Sequence, residues 1–117
     1  MKKDNILHEK SYAFAIRTVK LSQYLTSHKQ EYVLSKQVLR SGTSIGALVS
    51  ESKYAQSTPD FINKLSISLK EANETHYWIN LLKDTEYIDL KMFKSLEEDI
   101  NELLKLLTSI INTLKNR

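Results

Sequence analysis

Apolar side chains recur at steps of three and four along nearly the whole chain, the period of one helix face. From about residue 8 to 26 they fall on two offset stripes. One holds Tyr12, Ile16 and Val19 with Ala15 beside it; the other holds Phe14, Leu21 and Leu25. Ser27-His28-Lys29-Gln30 interrupts the pattern. From about 31 to 55, Leu34, Val38, Ser41, Ile45, Leu48 and Ser52 keep the alternating rhythm of a helix-packing seam. From about 59 to 83, Ile62, Leu65, Leu69, Ala72, His76 and Ile79 repeat it, with Trp78 and Leu82 on an adjoining face. From about 90 to 115, Phe93, Leu96, Ile100, Leu103, Leu107, Ile110 and Leu114 hold the phase, and Leu104, Leu106 and Ile111 widen the stripe. Short connections between long helices force antiparallel neighbours. The pattern therefore predicts one all-α domain over residues 1–117, an antiparallel up-down-up-down four-helix bundle.

Punctuation supports these limits. Thr58, Pro59 and Asp60 read as cap, first position and acidic first turn of the third helix, and Asp89 reads as the cap of the fourth. Gly42 and Gly46 lie inside the second helix, where each costs about 1 kcal/mol relative to Ala. They are one turn apart and flanked by Ser41, Ser44 and Ala47, a small-residue strip that admits another helix at close range. The heptad phase survives across both, which favours a continuous helix over a kink near Gly42. The fourth helix carries more apolar surface than one bundle core uses. Burial on a second side predicts a ring-like homo-oligomer, with Gly42, Gly46, Leu104 and Ile111 as candidate interface residues.

The 117 residues include two Gly, one Pro and no Cys, which argues against a sandwich or barrel and excludes disulfides, thiolate metal sites and a cysteine nucleophile. No apolar run approaches the roughly 18 residues of a membrane span, and Met1-Lys2-Lys3 is followed by no apolar leader core, so a cytoplasmic location is expected. Neither a nucleophile elbow nor a glycine-rich phosphate loop is present. The bundle-type dimetal pattern requires Glu three residues before His, but Asn73 stands there before His76. No metal, cofactor or enzymatic activity is expected. Glu97, Glu98, Asp99 and Glu102 read as a solvated acidic face, and His76 as a core or interface histidine with a hydrogen-bond partner.

Charge is uneven. Residues 1–58 carry nine Lys/Arg and four Asp/Glu, net +5, and residues 59–117 carry eight and ten, net −2. Lys10, Arg17 and Lys20 on the first helix and Lys36 and Arg40 on the second are candidates for a basic stripe that contacts phosphates without reading bases. Tyr12, Tyr24, Tyr32 and Tyr54 are candidate stacking residues, although tyrosines at helical spacing usually sit at a core edge.

The stretch from residue 37 to 88 carries Gln37-Val38-Leu39-Arg40-Ser41, Ser44-Ile45-Gly46-Ala47, Glu51, Pro59-Asp60-Phe61, Lys64-Leu65 and the run from Lys70 through Glu71, Ala72, Asn73, Glu74, Thr75, His76 and Tyr77 to Trp78. In order and spacing it resembles the four helix bundle protein family, also called 23S rRNA-intervening-sequence proteins. Where that family commonly has Asn-Ile-x-Glu-Gly, this chain has Leu48-Val49-Ser50-Glu51-Ser52 and keeps only the acid. The resemblance implies an antiparallel four-helix bundle that assembles as a homopentamer in the bacterial cytoplasm. Some relatives are encoded inside ribosomal RNA genes, and a related retroelement accessory protein binds nucleic acid and a reverse transcriptase. Arg40 and Glu51 stand eleven residues apart on one helix face, too far for a direct pair, which predicts a polar network with Glu71 and Glu74 of the third helix. The sequence is thus read as a non-enzymatic homopentamer that binds RNA or DNA non-specifically. The alternative is an oligomeric scaffold that docks a protein partner.

Overall fold

The computed structural model describes residues 2–117. It contains α1 over Lys2–His28, α2 over Leu34–Ser52, α3 over Thr58–Asp84 and α4 over Leu90–Lys115. Among the described residues there is no strand. All four predicted helices exist, and their ends move for local reasons. α1 starts at Lys2 rather than near residue 8 because Leu7 is a buried core residue. The polar residues before it extend the helix and bring the Lys3 ammonium to the Ser109 hydroxyl at 2.7 Å. α1 closes where Gln30 takes a left-handed φ of 50° and the Glu31 N–H returns to the Leu25 carbonyl at 3.0 Å, an ending usually given to glycine. Glu31 is therefore outside α2. Its buried carboxylate accepts the Val33 and Ser35 N–H groups at 3.3 and 2.8 Å and so satisfies donors at the start of that helix.

α2 ends at Ser52, short of residue 55, as the N–H groups of Lys53, Tyr54 and Ala55 turn to carbonyls three residues back. Ser57, not Thr58, caps α3 by accepting the Asp60 N–H at 3.2 Å. Asp89 caps α4 as expected, accepting the Met92 N–H at 2.8 Å.

Each helix packs on its neighbours in the order α1, α2, α3, α4 and back to α1. Three of the seams use different chemistry. Between α1 and α2 the contact is small on small: a Cβ on Gly42 would stand 2.3 Å from the Thr18 methyl, and one on Gly46 would stand 3.0 Å from the Ser11 carbonyl oxygen. α2 remains helical through both glycines. Between α2 and α3 the seam holds buried hydroxyls. Thr75 donates to Ser41 at 2.9 Å, and Ser68 donates to the Ile45 carbonyl at 3.0 Å. Between α1 and α4 it is polar: Lys3, Lys10 and Arg17, seven apart, meet Ser109, Glu102 and the Ser95–Asp99 turn in reverse chain order.

The core takes Phe14, Leu21 and Leu25 from α1, together with Leu7. Full burial of each such side chain contributes roughly 1.5–3 kcal/mol. The other α1 stripe stays outside: Tyr12, Ile16 and Val19 are 66%, 45% and 41% exposed. α4 reverses the expectation placed on it. Ile111 is buried within its own protomer, and Leu104, Leu106 and Leu114 pack partly buried against the same core. The wide α4 stripe is wide because this core absorbs it. Leu104 and Ile111 therefore do not form an outer apolar face, and Gly42 and Gly46 are occupied by α1. Among the described residues, α1 carries an uncovered apolar stripe in Tyr12, Ile16 and Val19.

Candidate nucleic-acid interface

Five cations were candidates for a phosphate-binding stripe, and the fold separates them. Lys10 pairs with Glu102 at 3.0 Å. Arg17 donates to Asp99 at 2.7 Å and to the Ser95 carbonyl at 3.2 Å. Arg40 pairs with Glu71 at 3.2 Å and with Glu74, and also bonds the Gln37 side chain. Lys20 and Lys36 are exposed and make no ion pair among the described residues. The stripe is thus not a row of free cations, and three of its five members help to hold helices together.

The acids behave correspondingly. Asp99 and Glu102 are bonded across the α1–α4 seam, and Glu97 meets His76 Nε2 at 2.9 Å. They are not a merely solvated face. Sequence reasoning missed these partners, although a signal existed: Lys3, Lys10 and Arg17 recur every seventh position, as do Ser95, Glu102 and Ser109 on α4. Complementary residues at matching period are the mark of two antiparallel helices in register. His76 is half-buried, and it also lies 3.3 Å from the Asn80 amide. This gives it the hydrogen-bonded structural role expected of it.

The predicted polar network is present in altered form. Arg40, Glu71 and Glu74 are joined, with Trp78 donating its indole N–H to Glu74 at 3.0 Å. That bond, reinforced by the Arg40 guanidinium and by Lys70, holds the Glu74 carboxyl below the ordinary glutamate range against the opposing effect of burial. Glu51 is outside the network. It lines the same shallow α2–α3 groove as Arg40, Glu71, Leu48 and Ile67, and makes no ion pair among the described residues. Trp78 was the overlooked member; its i,i+4 spacing from Glu74 was the available signal.

A hollow of about 290 Å³ opens between α1 and α4, lined by Arg17, Lys20, Leu21, Tyr24, Met92 and Leu96. Its Tyr24 ring stacks on His28, with centroids 5.2 Å apart and planes 21° from parallel. Tyr12, Tyr32 and Tyr54 stand exposed on other parts of the surface. Among the described residues no cluster of three or more His, Cys, Asp or Glu could hold a metal ion, and no helix is long and apolar enough to cross a membrane.

These features define a class: an all-α bundle in which many polar groups are engaged in packing and capping. Within that class the chain belongs to the family of 23S rRNA-intervening sequence proteins, which it matches over residues 3–109. It is similar to a crystal structure from Bacteroides thetaiotaomicron, described as a protein of unknown function from the S23 ribosomal protein family. The two share 55% identity with a TM-score of 0.93, covering 94% of this chain and 98% of that one. No curated protein matches the chain.

Proposed function

We propose that this protein is a non-enzymatic, cytoplasmic up-down-up-down bundle that assembles as a homopentamer and binds RNA or DNA through phosphate contacts with little sequence preference. One observation carries the nucleic-acid reading. Many of the acids are engaged inside the fold, in ion pairs or at helix starts, whereas Lys20, Lys29, Lys36 and Lys53 stand exposed without ion pairs among the described residues. Free cations present a positive surface to a polyanion even where the total charge is only +3. Five copies multiply that field. The exposed Tyr12, Ile16 and Val19 stripe supports assembly, since contiguous apolar surface of this kind marks contact sites. A closed ring of five uses two different patches per protomer, and the α2–α3 groove, where Leu48 and Ile67 lie among Arg40, Glu51 and Glu71, offers a candidate for the second.

A gel-shift series with ribosomal RNA fragments tests the reading. Binding is expected at low salt, falling linearly on a log–log plot as salt rises, with similar affinity for unrelated sequences. Absence of any shift at low salt refutes it. The same exposed stripe favours a second reading, a scaffold that docks a protein partner. In that case a specific protein co-purifies undiminished after nuclease treatment while the gel shift is absent.

A further inference from the structure

Resting on the nucleic-acid reading above, we propose that the hollow between α1 and α4 is a single-base receptor: it seats one unpaired base of a single strand against Tyr24, with the adjoining phosphate held by Lys20. Four observations on different residues converge there. Leu21 and Leu96 are buried and form an apolar floor, and Met92 adds a polarisable thioether suited to aromatic contact. Tyr24 is fixed in orientation by its stack on His28, which itself bonds the Ser27 hydroxyl at 2.9 Å. Lys20 lies one turn before Tyr24 on the same face and has no ion-pair partner among the described residues, so its ammonium is available to a phosphate. Arg17, seven residues before Tyr24, is anchored at the rim by Asp99 and the Ser95 carbonyl.

The volume, about 290 Å³, is at the small end of ligand sites and suits one ring system. The neighbouring hollow that shares Tyr24 contains Lys29 and Lys83 but also Glu86 and Asp89. Those carboxylates repel a continuing phosphate backbone, which limits the receptor to one nucleotide. An apolar slot with an aromatic wall and a free cation at the rim matches a base and its phosphate, since every base offers a π-face whatever its sequence.

The test measures fluorescence polarisation of the full-length protein with two single strands of equal length, one bearing bases and one largely abasic. Wild type is expected to bind the base-bearing strand more tightly. Tyr24→Leu is expected to weaken that strand about tenfold and leave the abasic strand unchanged, while Tyr24→Phe retains wild-type affinity. Lys20→Gln should weaken both strands and reduce the salt slope by roughly one unit. Photocrosslinking of wild type to an iodouracil-bearing strand needs no variant to fold, and should label the peptides that contain Tyr24 or Met92. If Tyr24→Leu binds both strands as wild type does, or the crosslink falls elsewhere, the receptor is refuted while the nucleic-acid reading stands. If wild type binds neither strand, both fall.

Discussion

The close approach of α1 to α2 makes a prediction whose sign runs against helix propensity. Replacing Gly42 by Ala in an unhindered helix stabilises it by about 1 kcal/mol. Here the added methyl would lie 2.3 Å from Thr18 Cγ2, 2.8 Å from Thr18 Oγ1 and 3.1 Å from Thr18 Cβ. Ordinary carbon contacts lie near ~3.5–4.0 Å, so the threonine methyl must retreat by more than an ångström. Thr18 is a poor candidate for yielding. It is β-branched, buried, and pinned by a 2.6 Å bond from its hydroxyl to the Phe14 carbonyl. Overpacking of this kind costs about 1–3 kcal/mol, and turning the hydroxyl away from its acceptor adds about 1 kcal/mol. Gly42→Ala is therefore expected to destabilise by about 1–3 kcal/mol net, lowering Tm by roughly 4 °C or more. Urea denaturation followed by circular dichroism supplies the free energy. Thr18→Ala removes the two closest atoms, so the double variant should be more stable than the sum of the single changes by at least about 1 kcal/mol. A Gly42→Ala variant that gains the propensity term, or a cycle with no coupling, would refute the packing argument.

Other expectations rest on separate features. Ser68→Ala removes a buried donor from the Ile45 carbonyl and should cost about 1–2 kcal/mol in urea melts; no change would mean that this bond contributes nothing to the α2–α3 seam. Glu86 holds a φ of 66° after α3, so Glu86→Gly should raise stability by about 0.5–1 kcal/mol; a lower Tm would contradict the strain. Because the folded-state pKa of Glu74 is depressed, its contribution is complete above the ordinary glutamate value of about 4.3 and is lost as pH falls through the folded value. The Tm gap between wild type and Glu74→Gln should therefore be wider near neutral pH than near pH ~3; a gap that grows on acidification would reverse the assigned sign.

Much of the fold could be read from periodicity, because long amphipathic helices with short connections leave few alternatives. The helix ends were less legible. Glu31 looks like a helix starter, yet its carboxylate caps the next helix from outside; a side chain that substitutes for a turn of backbone leaves no periodic trace. On α1 the pattern offered two stripes of similar apolar content. Phe14, Leu21 and Leu25 go inward because Ser11 and Thr18 lie between that stripe and the α2 glycines, and only small residues fit there. That choice depends on two helices at once, and one helix's sequence does not contain it. α4 illustrates the converse, since apolar width alone does not distinguish a broad core from an outer contact. The basic candidates suffered from the same limit. The order of residues locates the cations, but only tertiary register shows that, among the described residues, Lys10, Arg17 and Arg40 have acids opposite them while Lys20 and Lys36 do not. Family membership, by contrast, was carried by local motifs around Arg40, Glu51 and Trp78 and needed no register.

The proposal that protomers associate through the uncovered α1 stripe is most directly tested by solution mass. Multi-angle light scattering on the wild-type chain, whose protomer is 13.6 kDa, should return five times that mass. Ile16→Glu, which places a charge in the centre of the stripe, should shift the mass toward a single protomer while the far-ultraviolet helix signal is retained. A wild-type chain that elutes as a stable single protomer at micromolar concentration would contradict the account, as would an Ile16→Glu assembly of unchanged mass.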